Sequence, residues 1–229
     1  MSTWLAFDAG SPVTSAAVAR AGSLLAEGVG ASRSGPSLLQ LIDDSLQRAL
    51  VAPRELDGIV VLSGPGSFTG IRVALATALG LRAALAVPVF ALSNLAALAL
   101  HAGTAAPAGQ PGHPAEAGAG EAPAVLALID ALRDEWFAQE FRFAAGGLIA
   151  TTAPERLAAT ALVVPPAARL VLHLDQPLPA PLAAAVAQRA TGLAPGVALA
   201  ASAGALTGLL SHDLAPLYLR GFTPRNPPA

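Results

Sequence analysis

Residues 63–81, SGPGSFTGIRVALATALGL, place three glycines in a short loop and continue directly into a long apolar segment. The residues just before them, LDGIVVLSG (56–64), form a continuous β-branched run that is typical of a strand buried on both faces of a sheet. A strand, a glycine-containing turn and an apolar helix in this order predict an α/β protein. Such a turn either binds a phosphate or only directs the helix that follows it.

The glycine spacing fits neither generic nucleotide loop. A Walker A motif needs a lysine, and the chain has none, while the dinucleotide fingerprint G-x-G-x-x-G is one residue shorter than this loop. Ser67 or Thr69 is expected to cap the helix, whose first N–H groups form an anion site in many proteins. A structural turn and an anion contact both remain open at this point.

Composition limits the class of protein. The chain has 229 residues, of which 54% are hydrophobic and 12% charged, so it has a large core or an interface. A net charge of −2 argues against binding nucleic acid alone, and the lack of cysteine excludes disulfides and thiolate metal sites. We predict no signal peptide, and Arg82 and Pro88 interrupt the apolar segment 73–92, so we expect a cytoplasmic protein without a membrane span.

The pattern of the first half recurs in the second. Each half opens with a strand that ends in an aspartate, Asp8 or Asp130, and continues as a β-meander. The segment 103–123 is rich in Ala, Gly and Pro and predicts a flexible linker. We therefore predict an N-terminal lobe at 1–102 and a C-terminal lobe at 124–229, the latter with a strand at 169–174 and helices at 179–190 and 202–212.

The helix predicted at 69–86 has almost no polar face. Two rows of small residues follow it at four-residue spacing, one formed by Gly70, Ala74 and Ala78 and one by Ala76, Gly80 and Ala84. An apolar helix of this kind needs a second cover besides its own sheet, and small residues let another helix approach closely. That cover is either another helix of the chain or a partner subunit.

Other catalytic signals are weak. The four histidines are scattered without an H-x-x-x-H pair, and no G-x-S-x-G nucleophile motif occurs. We therefore predict no metal site and no catalytic residue, and we disfavour a peptidase. The candidate anion or nucleotide contacts are Asp8, Gly64, Gly66, Ser67, Thr69, Arg72 and Asp130.

The segment GPGSFTGIR (64–72) resembles the signature of the TsaB (YeaZ) family. Three further blocks agree with that family in the same order: LAFDAGSPVTSAAVA (5–19), ALIDALRDEWFAQEF (127–141) and PLYLR (216–220). Two departures occur, DAG at Asp8 where DTA or DTS is usual, and Ser34 after Arg33 where the family has histidine. Both departures weaken the case for nucleotide binding by this lobe, and neither affects a partner interface.

The resemblance implies a two-lobed, actin-like and sugar-kinase-like (ASKHA) α/β fold with mixed sheets and flanking helices. It implies a non-catalytic scaffold subunit of the complex that makes N6-threonylcarbamoyladenosine at position 37 of tRNA. Asn94 and Leu98 stand where the catalytic paralogue carries its metal-binding histidine pair. The implied partners are that paralogue, TsaD, the small ATPase TsaE, and tRNA only within the complex; a homodimer of the chain alone remains open.

In this family the first two helices form the subunit contact, which corresponds to 35–50 and 69–86 here. The implied interface consists of Leu38, Leu39, Ile42, Leu46, Gly70, Ile71, Val73, Ala74, Thr77, Ala78 and Leu81. No cofactor is implied for the chain itself, although a nucleotide with Mg²⁺ at the partner interface remains open. The alternatives are a self-sufficient nucleotide-binding enzyme that uses the cleft between the lobes, and an interaction module outside tRNA modification.

Overall fold

The computed structural model describes residues 2–31, 37–104, 124–183, 185–206 and 208–219. Most of the predicted linker and the pair Arg33 and Ser34 lie outside these residues. The helix before the linker is described as far as Thr104.

The first sheet has five strands in the order β3-β2-β1-β4-β5. Strands β1, β2 and β3 form the predicted antiparallel meander, whereas β1, β4 and β5 are parallel. The elements in chain order are β1 (Thr3–Asp8), β2 (Val13–Arg20), β3 (Ser23–Ala31), α1 (Leu38–Ala49), β4 (Gly58–Leu62), α2 (Phe68–Leu85), β5 (Val89–Leu92) and α3 (Asn94–Thr104).

The second sheet repeats this topology. Its order is β11-β10-β6-β7-β8, with β9 also paired to β7, and its meander β6-β7-β8 is followed by the parallel strands β10 and β11. The predicted internal repeat is therefore confirmed. The elements are β6 (Val125–Leu132), β7 (Glu135–Ala144), β8 (Gly147–Ala150), β9 (Glu155–Ala158), β10 (Arg169–His173), β11 (Ala187–Ala190) and α4 (Ala194–Ser202).

The two lobes exchange their last helices. Helix α3 follows the first sheet but packs mainly on β6 and β10 of the second, whereas α4 follows the second sheet and packs on β1 and β2 of the first. The backbone N–H of Ala194 at the start of α4 donates to Ser15 Oγ at 3.2 Å, and the N–H of Gly22 donates to Ser202 Oγ at 2.9 Å. One buried apolar cluster therefore spans both lobes.

Two predicted helices are wrong. Residues 179–190 hold a short 3-10 turn at Ala180–Leu182 and strand β11, because closely spaced prolines prevent a continuous helix. The described residues of 202–212 begin with the last residue of α4, and turns with left-handed glycines at 204 and 208 follow it. The sequence reasoning missed α4 because Pro195 and Gly196 stand in its first turn, where a proline is tolerated.

Helix α2 is long and apolar enough to cross a bilayer by length and composition. It connects β4 to β5, which are neighbouring parallel strands of one sheet, so both of its ends are fixed to that sheet. Ile71, Ala74, Leu75 and Ala78 are buried in the cluster it forms with the sheet. This is the placement of a connecting helix in a parallel sheet.

Candidate functional site: the glycine turn and the outer face of helix α2

The glycine loop leads from β4 into a capped helix. Ser67 is the N-cap of α2, and its Oγ accepts a hydrogen bond from the N–H of Gly70 at 3.3 Å. The predicted cap at Ser67 is confirmed, and the helix begins at Phe68, one residue before the predicted start. A cap of this kind satisfies one of the N–H groups that the first turn leaves unpaired.

The glycines let this loop press against the turn between β1 and β2. A Cβ on Gly66 would lie 2.4 Å from the carbonyl oxygen of Gly10, and one on Gly70 would lie 1.8 Å from the carbonyl oxygen of Ala9. The N–H of Ser67 donates to the Gly10 carbonyl oxygen at 2.7 Å. The backbone of the glycine loop therefore lies so close to the backbone of the β1–β2 turn that no side chain fits between them.

A buried polar cluster joins this turn to α3. Asp8 Oδ1 accepts from the N–H groups of Gly10 at 2.8 Å and Ser11 at 3.3 Å, and from Asn94 Nδ2 at 3.3 Å. Asn94 Nδ2 also donates to Ser11 Oγ at 3.0 Å, and Asn94 Oδ1 accepts from the N–H of Gly64 at 2.7 Å. One amide side chain thus connects β1, the glycine loop and α3.

The Asp8 carboxylate is fully buried, and its second oxygen, Oδ2, has no hydrogen-bond partner among the described residues. Burial raises the pKa of Asp8 above its ordinary value of 3.8, because desolvation outweighs the opposing hydrogen bonds from Ser11, Gly10 and Asn94. Protonation of Asp8 therefore favours the folded state, and the cluster holds the turn after β1, the glycine loop and α3 together. The sequence reasoning singled out Asp8 but missed Ser11, whose signal is the Asx-type turn after Asp8.

Several candidate anion contacts are already engaged inside the chain. The N–H groups of Gly64, Ser67 and Gly70 donate to Asn94, Gly10 and Ser67 respectively. Asp130 is half-buried at the end of β6, where its Oδ1 accepts from the N–H of Leu132 at 2.7 Å within its own hairpin. Among the described residues no hydrogen bond joins Asp130 to the Asp8 cluster. This geometry favours the interpretation of the loop as a structural turn.

The two rows of small residues on α2 face opposite ways. The row Gly70, Ala74 and Ala78, which we call the inner row, points to the sheet, and Ala74 and Ala78 are fully buried. The row Ala76, Gly80 and Ala84, which we call the outer row, is exposed. Val73 and Leu79 flank the outer row with 46% and 43% of their surfaces exposed. The described chain leaves this face uncovered.

Most residues of the predicted interface face the core of the chain and not its surface. Six of its residues are buried in the core that α1 and α2 form with the first sheet, so a partner cannot reach them, and Gly70 lies against the Ala9 carbonyl. Thr77 and Leu81 are half-buried, while Leu39 and Val73 are exposed. The buried residues are Leu38, Ile42, Leu46, Ile71, Ala74 and Ala78.

The described part of the C-terminal block, residues 216–219, lies at the same place. The N–H of Leu217 donates to the carbonyl oxygen of Ser63 at 2.8 Å. Tyr218 stacks on Phe68 with the ring centroids 5.2 Å apart, and Arg72 Nε donates to the Tyr218 hydroxyl at 3.3 Å. Two sequence blocks that are far apart in the chain therefore meet at the start of α2.

The repeated meander, the exchanged helices and the aspartate-anchored turns define a two-lobed actin-like α/β protein. The family model described as "TsaD: tRNA N6-adenosine threonylcarbamoyltransferase" matches residues 31–166, more than half of the chain. Solved structures agree: YeaZ from Pseudomonas aeruginosa superposes with a TM-score of 0.69 at 28% identity, covering 96% of this chain and 100% of that one. The chain belongs to this family and, within it, to the TsaB/YeaZ group.

Curated relatives match shorter stretches. A protein of Mycobacterium tuberculosis described as uncharacterized is 33% identical over 106 residues, which cover 43% of this chain and 48% of the relative. The tRNA threonylcarbamoyladenosine biosynthesis protein TsaB of Bacillus subtilis is 39% identical over 67 residues, covering 29% of this chain and 28% of the relative. The chain thus spans about half the length, or less, of the curated relatives it matches.

Proposed function

We propose that this chain is a non-catalytic subunit for the synthesis of N6-threonylcarbamoyladenosine in tRNA. It binds the catalytic paralogue of its own family, TsaD, through the outer face of α2. The ATPase TsaE and the tRNA join the assembled complex in the cytoplasm. The relatives named TsaB support the pathway, and the exposed apolar face of α2 is the observation that supports the scaffold role.

Leaving this apolar face in contact with water costs free energy. Val73, Leu79 and the outer row place apolar surface side by side on one helix, and Leu39 of α1 is exposed as well. Contiguous exposed apolar surface marks interaction sites in soluble proteins. The small side chains of the outer row let a partner helix approach closely, so that its side chains fill the groove between Val73 and Leu79.

The residues at the family's metal positions support the non-catalytic role. Asn94 is fully buried, and both ends of its amide are hydrogen-bonded within the Asp8 cluster. Leu98 is fully buried in the core shared by the two lobes. Neither side chain offers the imidazole nitrogen that such a metal pair requires.

Arginine at Ala76 tests the proposal, because Ala76 is exposed and the change leaves the buried inner row intact. We expect Ala76→Arg to weaken binding to purified TsaD by at least about 100-fold, since a charged side chain in the middle of a close helix contact must be desolvated or excluded. Isothermal titration calorimetry measures the dissociation constant. The matched control is Ala161→Arg, an exposed alanine in the C-terminal lobe.

The same pair of variants checks the pathway in cells. In a strain that lacks the chromosomal gene, wild type and Ala161→Arg are expected to restore the modified adenosine, as measured by nucleoside mass spectrometry, and Ala76→Arg is not. Circular dichroism confirms that each variant is folded. If folded Ala76→Arg binds TsaD and restores the nucleoside as wild type does, the outer face of α2 is not the interface.

A further inference from the structure

An aromatic and guanidinium cluster extends the outer row of α2 at its N-terminal end. Phe68 and Arg72 precede Ala76, Gly80 and Ala84 at the same four-residue spacing, so all five lie along one line of the helix. Every residue of this line is exposed. Arg72 is predicted above as an anion contact, but neither Arg72 nor Phe68 is predicted to lie on this line.

Tyr218, which is distant in sequence, is the third side chain of the cluster. The Arg72 guanidinium lies over the Phe68 ring, with Cζ 3.9 Å from the ring centroid, and Tyr218 stacks on that ring with an interplanar angle of 28°. The Tyr218 hydroxyl accepts a hydrogen bond from Arg72 Nε. The three side chains therefore hold one another in fixed positions before any partner arrives.

The backbone beneath the cluster is fixed as well. Leu217 is hydrogen-bonded to Ser63 at the end of β4, and a Cβ on Gly64 would lie 2.9 Å from the Leu217 carbonyl oxygen. Ser67 caps the helix turn that carries Phe68. A cluster with this support loses little conformational entropy on binding, which is a main cost of forming an interface.

The cluster is exposed in spite of its apolar area. Phe68 shows 53% of its surface to solvent and Tyr218 shows 42%. Among the described residues no carboxylate pairs with Arg72, although its guanidinium is held rigidly beside the aromatic rings. Tyrosine, other aromatic residues and arginine are the residue types that dominate binding energy at protein interfaces.

We propose that Phe68, Arg72 and Tyr218 form the anchor of the partner-binding surface, and that residues 216–219 are part of this surface. The occupant is an apolar helix that lies along the outer row and presents an aspartate or glutamate opposite Arg72. This inference rests on the proposed function, because it assigns the anchor and the charge complement of the same interface.

Two observations favour a protein partner here over RNA. The cluster is continuous with the apolar outer row and its flanking residues Val73 and Leu79, which a polyanion would not cover. The chain carries a net charge of −2, whereas proteins that hold RNA by stacked aromatic residues usually surround them with basic side chains. We therefore expect a protein partner at this cluster, and binding experiments with tRNA test the alternative.

Truncation of Tyr218 is the direct test. We expect Tyr218→Ala to weaken binding to purified TsaD by about 10- to 30-fold, as truncation of an anchor residue does. Tyr218→Phe keeps the stacking on Phe68 and loses only the bond to Arg72, so its affinity is expected to stay within about threefold of wild type. Ile149→Ala, a large exposed residue on β8, is the control and should bind as wild type does.

The salt dependence of binding tests the proposed carboxylate opposite Arg72. Arg72→Gln is expected to weaken binding by about tenfold at low salt and to make the affinity less sensitive to ionic strength, because one screened ion pair is lost. An unchanged salt dependence in Arg72→Gln would overturn the assignment of a carboxylate opposite Arg72. Thermal unfolding of each variant shows whether the change has also disturbed the fold.

The outcomes separate this inference from the function on which it rests. If Ala76→Arg abolishes binding and Tyr218→Ala leaves it unchanged, the anchor is wrong and the proposed interface stands. If neither variant changes the affinity for TsaD, the anchor and the proposed interface on α2 are both wrong. If Tyr218→Ala leaves the affinity for TsaD unchanged but weakens tRNA binding to the assembled complex, the cluster is an RNA contact and the proposal is overturned.

Discussion

Gly70→Ala is expected to lower the free energy of unfolding by about 3–5 kcal/mol, which is the largest change in stability that we predict. The new Cβ would lie 1.8 Å from the carbonyl oxygen of Ala9, and that oxygen belongs to backbone, which cannot rotate out of the way as a side chain can. Either α2 or the turn after β1 has to move. Domains of this size are stable by about 5–15 kcal/mol, so a large part of that margin would be lost.

Gly80 provides the matched control in the same helix. A Cβ on Gly80 meets no heavy atom within 4 Å, so Gly80→Ala adds only helix propensity and is expected to stabilise the chain by about 0.5–1 kcal/mol. Urea unfolding followed by circular dichroism measures both changes. Equal effects of the two substitutions would mean that the loop does not press on the turn as the structure has it.

Removal of the Asp8 side chain is the second large effect. Asp8→Ala takes the acceptor from the N–H groups of Gly10 and Ser11 and one acceptor from Asn94 Nδ2, all in a buried site. A buried donor that loses its partner costs about 1–3 kcal/mol, so we expect a total loss of about 3 kcal/mol. The cost of burying the charge is removed as well, which keeps the loss below the sum of the three bonds.

Asp8→Asn tests the pH dependence that Asp8 causes, because asparagine keeps an acceptor oxygen for these N–H groups and has no titratable carboxyl. The pKa of Asp8 is raised in the folded state, so the unfolded chain releases this proton first. The stability that Asp8 contributes is therefore complete below pH 3.8 and declines as the pH rises to the folded pKa. We expect the free energy of unfolding of Asp8→Asn, relative to wild type, to increase across that window.

The difference between the two proteins is the quantity to measure, because His173 acts in the opposite direction. Burial lowers the pKa of His173 to about 4, so its contribution is complete above its ordinary value of 6.5 and is lost as the pH falls toward 4. His173 is present in both proteins, and its contribution cancels in the difference. A difference that does not change with pH would show that the pKa of Asp8 is not raised.

Much of the first lobe could be predicted from local pattern. Strands β1 to β5 and helices α1 to α3 follow apolar periodicity, and Ser67 caps α2 as its position before the apolar run indicates. The repeated aspartate-ended strands of the two halves also predicted the duplicated topology. The signal was weaker in the second lobe, where prolines stand in irregular segments as well as in the first turn of α4.

The sequence by itself determined that α2 carries two rows of small residues and has almost no polar face. It therefore also determined that the sheet alone cannot cover every apolar side of this helix. Only the tertiary structure decided that Gly70, Ala74 and Ala78 face inward and that Ala76, Gly80 and Ala84 face solvent. The physical reason is that a helix with apolar residues all round has no preferred side of its own. The side that faces the sheet is set by the close contact of Gly70 with Ala9 and by the packing of Ile71 on the core, and these contacts are distant in sequence.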